Sequence, residues 1–86
     1  MQVNAVVWDD TNEREILSLG VAVEEIEDVL YDDRNDTVIL NETDGSLALF
    51  LTTGTASTGR VISVKSRVEC GNPLHIYPIS AVLNRS

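Results

Sequence analysis

Apolar residues change their spacing partway along this chain, and the change divides it into a helical half and a strand half. The run Val3-Asn4-Ala5-Val6-Val7-Trp8 predicts a short opening strand. Asp9, Asp10 and Thr11 follow and all favour a helix start. Asp10 with Glu13 three residues on fits a capping box, with Asp in the Ser/Thr place. Gly20 suits the left-handed residue that closes a helix, so a helix is expected over 11–19, with Ile16, Leu17 and Leu19 on its buried side. A second helix is expected over about 23–31. Val23, Ile26, Val29 and Leu30 recur there at three and four residues, while Glu24, Glu25, Glu27 and Asp28 lie on the other side. Ala22 stands where an N-cap belongs and offers no acceptor, which should cost the helix about 1 kcal/mol.

After the charged loop Asp32 to Asp36 the period becomes strand-like. Val38-Ile39-Leu40 is apolar and rich in β-branched residues, and Asp44-Gly45 signals a tight turn between two strands. Leu47, Leu49 and Leu51 alternate with Ala48, Phe50 and Thr52, so this strand is apolar on both faces and should be central. Gly54 to Gly59 is a loop by composition, and residues 60–68 and 74–82 read as two more strands joined by Cys70-Gly71-Asn72-Pro73. Pro78 cannot donate to a ladder, so the last strand should be an edge or be bent there. The expectation is a single α+β domain over 1–86, with two short N-terminal helices packed on a mainly antiparallel sheet of four to five strands.

Length and composition fit that picture. A chain of 86 residues has room for one core and should bury roughly 60–65% of its unfolded surface. No apolar run approaches the ~20 residues that span a bilayer, and the N-terminus lacks the features of a signal peptide. One cysteine, Cys70, cannot form an internal disulfide. The chain therefore reads as cytoplasmic, reduced and without membrane contact.

Charge is divided as sharply as hydropathy. Residues 1–45 hold 13 acids against two bases, Arg14 and Arg34, a net −11. Residues 46–86 hold one acid, Glu69, against Arg60, Lys65, Arg67 and Arg85, a net +3. The first half should repel nucleic acid, and the second could hold a phosphate if its charges converge. Burial of the apolar set Ile62, Val64, Val68, Leu74, Ile76 and Val82 favours a pairing of the last two strands with Arg67 opposite His75 and Lys65 opposite Tyr77. Ser63, Lys65, Arg67, His75 and Tyr77 then share the other face. Cleavage of RNA by its 2′-hydroxyl needs a base, an acid and cations for the phosphorane charge. His75 or Tyr77 could move protons, and Lys65 and Arg67 could hold the phosphate. The same alternation is what the wet side of any half-exposed sheet shows.

Other candidates carry the same two readings. Arg60 after Gly59 could anchor a phosphate or be a solvated strand-start arginine. The carboxylates from Glu24 to Asp36 could attract a cation, or simply solubilise a helix. There is no Cys/His set for zinc and no phosphate-cradling Gly loop, so no metal or cofactor is expected. Trp8 reads as a core anchor and Cys70 as a spectator.

The segment VVWDDTNEREILSLGVAVEEIEDVL resembles the opening of the BrnT toxin family: a strand ending in Trp-Asp, a helix ending in Gly-Val, then a Glu-rich helix. LTTGTASTGRVISVK resembles its Gly-Thr followed by Gly-Arg and an apolar strand, and Ile79-Ser80-Ala81 its closing element. The resemblance implies a RelE-type ribonuclease fold. It also implies the toxin component of a type II toxin–antitoxin system, a metal-independent endoribonuclease neutralised by a ribbon-helix-helix antitoxin. On this reading Lys65, Arg67, His75 and Tyr77 would be catalytic, Arg60 would bind phosphate, and Glu24, Glu25, Glu27 and Asp28 would face the basic antitoxin. The chain departs from the family pattern at Glu15, Leu19 and Val82, where members carry His, His and Arg. The alternative is a catalytically degenerate member that survives as a binding or regulatory protein.

Overall fold

A computed structural model describes residues 3–41, 49–71 and 73–84. Its elements in chain order are β1 (Ala5–Val6), α1 (Asp10–Ser18), α2 (Val23–Tyr31), β2 (Asp36–Asn41), β3 (Leu49–Thr55), β4 (Val61–Gly71) and β5 (Leu74–Asn84). The strands form one sheet in the order β1-β5-β4-β3-β2. Every pairing is antiparallel except that of β1 with β5. Both helices lie on one face of this sheet, α1 over β5 and α2 over β3 and β4. The expected α+β arrangement is therefore present, with a parallel edge strand that the sequence pattern did not specify. The Asp44-Gly45 turn and Leu47 lie outside the described residues. β2 and β3 pair antiparallel on either side of that span, with Val38 opposite Leu51.

The helix starts show why these segments fold locally. Asp9, not Asp10, caps α1. Its carboxylate accepts from the Asn12 backbone at 2.9 Å, and the Asn12 side chain accepts from the Asp9 backbone at 2.8 Å. The Asn12 amide also donates to the Val7 carbonyl at 3.0 Å, so this buried side chain ties the end of β1 to the helix. Gly20 closes the helix with φ +82°, as expected. Ile16 is fully buried, but Leu17 and Leu19 are 54% and 41% exposed. Successive helical residues point about 100° apart, and in α1 only the Ile16 direction meets the sheet, so Leu17 turns to solvent. In α2, Ala22 offers no acceptor, yet the Glu25 carboxylate accepts from the Ala22 backbone at 3.1 Å and supplies the reverse half of a capping box.

Ile26, Val29 and Leu30 of α2 meet Ile62 and Val64 of β4 and Ile76 and Ala81 of β5 in a common core, each burial contributing about 1.5–3 kcal/mol for the larger side chains. Trp8 packs on its margin. Helix α2 packs tightly on Gly54, where an added Cβ would lie 3.3 Å from Val29 Cγ1. β3 thus runs through Thr55, into residues expected to be loop, because α2 covers a strand there that has no room for a side chain.

Two bulges alter the expected register of β4 and β5. Ladder pairing shifts between Lys65 and Ser66 and again between Val68 and Cys70. Between the bulges the pairing is itself displaced by two residues from the expected one, so Arg67 stands opposite Tyr77, with Lys65 opposite Ser80 and His75 opposite Cys70. Val82, expected on the buried face, pairs with Ser63 and is 63% exposed. The first bulge sits at Pro78, which faces Ser66 beyond the last β1 pairing at Ile76. A strand bent at its proline is what the missing N–H demands. The buried Ser66 hydroxyl has no hydrogen-bond partner among the described residues. The Cα radius of gyration is 12.0 Å, as expected for a compact chain of this length. No helix among the described residues is long and apolar enough to cross a membrane.

Candidate functional site

Strand alternation puts Leu51, Ser63, Lys65, Arg67 and Tyr77 on the face opposite the helices. The expected polar face is thus real, but its groups are arranged differently from the expectation. The Arg67 guanidinium lies over the Tyr77 ring, 4.5 Å from its centroid, and pairs through Nε with Glu69 at 3.1 Å. The Tyr77 hydroxyl donates to both carboxylate oxygens of Asp9, each at 2.9 Å. Asp9 is held below the usual carboxylate range, first by the Asn12 backbone N–H, with the Tyr77 hydroxyl assisting against desolvation. The Tyr77 phenol is pushed up, first by desolvation and then by the Asp9 acceptor. Asp9, Tyr77, Arg67 and Glu69 form a closed cluster in which the Tyr77 hydroxyl and the Arg67 Nε and Nη2 already have carboxylate acceptors.

Lys65 is exposed and has no acidic partner among the described residues, whereas His75 is half-buried beside β1. Lys65 stands opposite Ser80, so along β5 it lies roughly 16 Å from His75 at ~3.3 Å per residue. The four candidates share a face without converging on one point, because the β4–β5 pairing is displaced by two residues at Arg67–Tyr77 and the bulge at Pro78 adds one more at Lys65.

A second polar cluster sits on the helix side. Glu25 is only 4% exposed. Its carboxylate accepts from the Thr58 hydroxyl at 2.6 Å, from the Ala22 backbone at 3.1 Å and from Arg60 Nη1 at 3.1 Å. Arg60 Nη2 also donates to the Gly20 carbonyl at 3.0 Å. These bonds hold Glu25 below the usual range, the Thr58 hydroxyl first, then the Ala22 N–H, with the Arg60 charge contributing less. Arg60 is therefore engaged in pinning the 56–60 loop to the α1–α2 turn instead of standing ready for a phosphate. Glu25 is a buried hub, not a solvated partner contact.

The other acids of α2 are also engaged. Glu27 accepts from the Trp8 indole at 3.1 Å. Asp28 accepts from the Ser57 backbone at 3.0 Å and hydroxyl at 2.6 Å, and the hydroxyl is the main reason its carboxyl is held low. Glu24 alone of the four is exposed without a hydrogen bond among the described residues. Sequence reasoning missed Asp9, Asn12, Thr58 and Glu69. Their signals were faint: a second Asp beside the expected cap, and single polar residues in a loop and a strand.

Glu27, Asp28, Asp32 and Asp36 line an open groove of about 1130 Å³ between α2 and the end of β3, with Tyr31 and Gly54 in its walls. Among the described residues Arg34 is its one cationic lining residue, and it pairs with Asp32 at 3.1 Å. The groove thus keeps a negative balance that suits a cationic segment. Among the described residues no group of three or more His, Cys, Asp or Glu is placed to hold a metal ion. Comparison with protein-family models, with curated proteins and with solved structures found no match to this chain.

Proposed function

We propose that this protein is the toxin-side member of a type II toxin–antitoxin pair, BrnT-like and cytoplasmic, and that it acts by binding a basic antitoxin segment and not by cutting RNA. The closed Asp9–Tyr77–Arg67–Glu69 cluster carries this reading. A phosphate reaching Arg67 would have to compete with Glu69 for the guanidinium, with the Asp9 carboxylate on the neighbouring Tyr77. A phenol with a raised pKa that already donates to Asp9 is a poor proton acceptor at neutral pH. The acidic groove beside α2 supports a cationic protein partner of the ribbon-helix-helix type.

The test is induction of the tightly repressed gene, followed by growth and bulk RNA integrity. Folded protein accumulating without growth arrest or RNA breakdown is the expected result. Arrest that Arg67→Ala and His75→Ala both relieve would overturn it and establish a metal-independent endoribonuclease. That second reading has one observation in its favour: Lys65, Arg67 and Tyr77 occupy one uncovered face beside His75. If it holds, removal of a charge-stabilising donor such as Arg67 should lower the cleavage rate ~10²–10³-fold.

A further inference from the structure

Strand β2 ends the sheet, and nothing among the described residues pairs with its outer edge. Edge strands are usually protected by an internal lysine, a proline or a covering loop. The sequence of β2, Asp-Thr-Val-Ile-Leu-Asn, has no lysine or proline, and its one charge is at the start. Val38, Ile39 and Leu40 are 58%, 55% and 47% exposed. A half-buried strand would expose every second residue, whereas these three successive residues are exposed on both faces. Backbone hydrogen-bonding groups and apolar side chains are thus presented together.

The geometry points to β2 as a docking strand for an extended segment of a partner protein, apolar and β-branched along its length and basic at the end that lies over Asp36. This deepens the binding role proposed above and rests on it. Charge selects the occupant. Asp32 and Asp36 line the acidic groove, which opens where β2 begins, and the whole chain carries −8. A second copy fits poorly. Antiparallel self-pairing of β2 would set the Asp36 end of one chain against the Asn41 end of the other, where Glu42 and Asp44 follow in sequence. A basic tail meets complementary charge at the same place. Main-chain hydrogen bonds would supply affinity, and the acidic groove would supply direction.

The experiment uses the intact protein and a short dye-labelled peptide with a Thr/Val core and a C-terminal Lys/Arg tail, read by fluorescence anisotropy. An antiparallel partner places that tail over Asp36. Binding is expected, with at least a tenfold loss for Val38→Lys, whose fold is checked by circular dichroism. The same peptide N-methylated at alternate backbone nitrogens should not bind, and neither should one with a Glu tail. The N-methyl comparison needs no variant, so it stands even if Val38→Lys fails to fold. Equal binding of the N-methylated peptide would reduce the interaction to charge capture in the groove and overturn strand pairing. Concentration-dependent dimerisation of the protein alone, abolished by Val38→Lys, would replace the partner with a second copy. Absence of peptide binding in a chain that causes no growth arrest would remove this edge and leave the binding role to another surface. Peptide binding by a chain that does arrest growth would keep the edge and remove the non-catalytic reading.

Discussion

Glu25 places a carboxylate at 4% exposure, where an unanswered charge would unfold the domain, and it is answered by a hydroxyl, a backbone N–H and a guanidinium. Its folded pKa lies below its ordinary 4.5. A depressed carboxylate contributes stability that is complete above the unfolded value and is lost as pH falls through the folded one. Glu25→Gln should therefore be less stable at pH 7 by about 1–3 kcal/mol, through loss of charge-assisted hydrogen bonds. Its urea midpoint should also fall less steeply than the parent's below pH 4.5. Asp9, Asp28 and Asp32 are lowered too and act in both proteins, so the difference between the two curves isolates Glu25. Superimposed curves would mean that the hub is neutral to stability, and parallel but offset curves that its charge adds no pH dependence. This residue was legible by angle and was misread by polarity. It lies three residues after Ala22 and four before Val29, inside the stripe that Ile26 and Leu30 define.

At the scale of elements, the sequence pattern located both helices and all the strands, because hydrophobic periodicity is a local property. Val23–Tyr31 is the helix that its spacing predicted. Register was not legible in the same way. The bulge at Pro78 inserts a residue that alternation cannot anticipate, and it turns Val82 from the expected core face to solvent. The proline itself announced a bend, but not which strand would absorb the shift. The path of β3 beneath α2 was hidden for a different reason: Gly54 reads as a turn residue but serves as a point of close approach. Gly54→Val should push α2 off β3 at Val29 and lower stability by about 1–3 kcal/mol, as overpacking does. Thermal denaturation would show it. A variant as stable as the parent would show that α2 can move aside without loss.

At the scale of the whole molecule, the charge split suggested two faces of opposite sign, and the structure dissolves one of them. Arg60 is paired with Glu25 and Arg67 with Glu69, so among the described residues the basic half offers little free positive charge beyond Lys65. The acidic half is divided as well: Glu25 is buried and Glu24 exposed. Reversal of the α2 acids therefore cannot be treated as one surface experiment. Glu24→Lys should fold like the parent and slow association with the basic peptide by about twofold to fivefold at low salt, a steering effect. The deficit should vanish toward 1 M salt, where the Debye length falls to about 3 Å. Glu25→Lys should fail to fold, because it would set a buried ammonium against Arg60 with the Ala22 N–H and Thr58 hydroxyl left without their acceptor. Circular dichroism and stopped-flow mixing separate the two outcomes. A Glu25→Lys protein with parental stability would mean that the hub opens readily to solvent. A Glu24→Lys protein with unchanged association at every salt concentration would confine the attraction to the groove itself, where Asp32 and Asp36 stand at the start of β2.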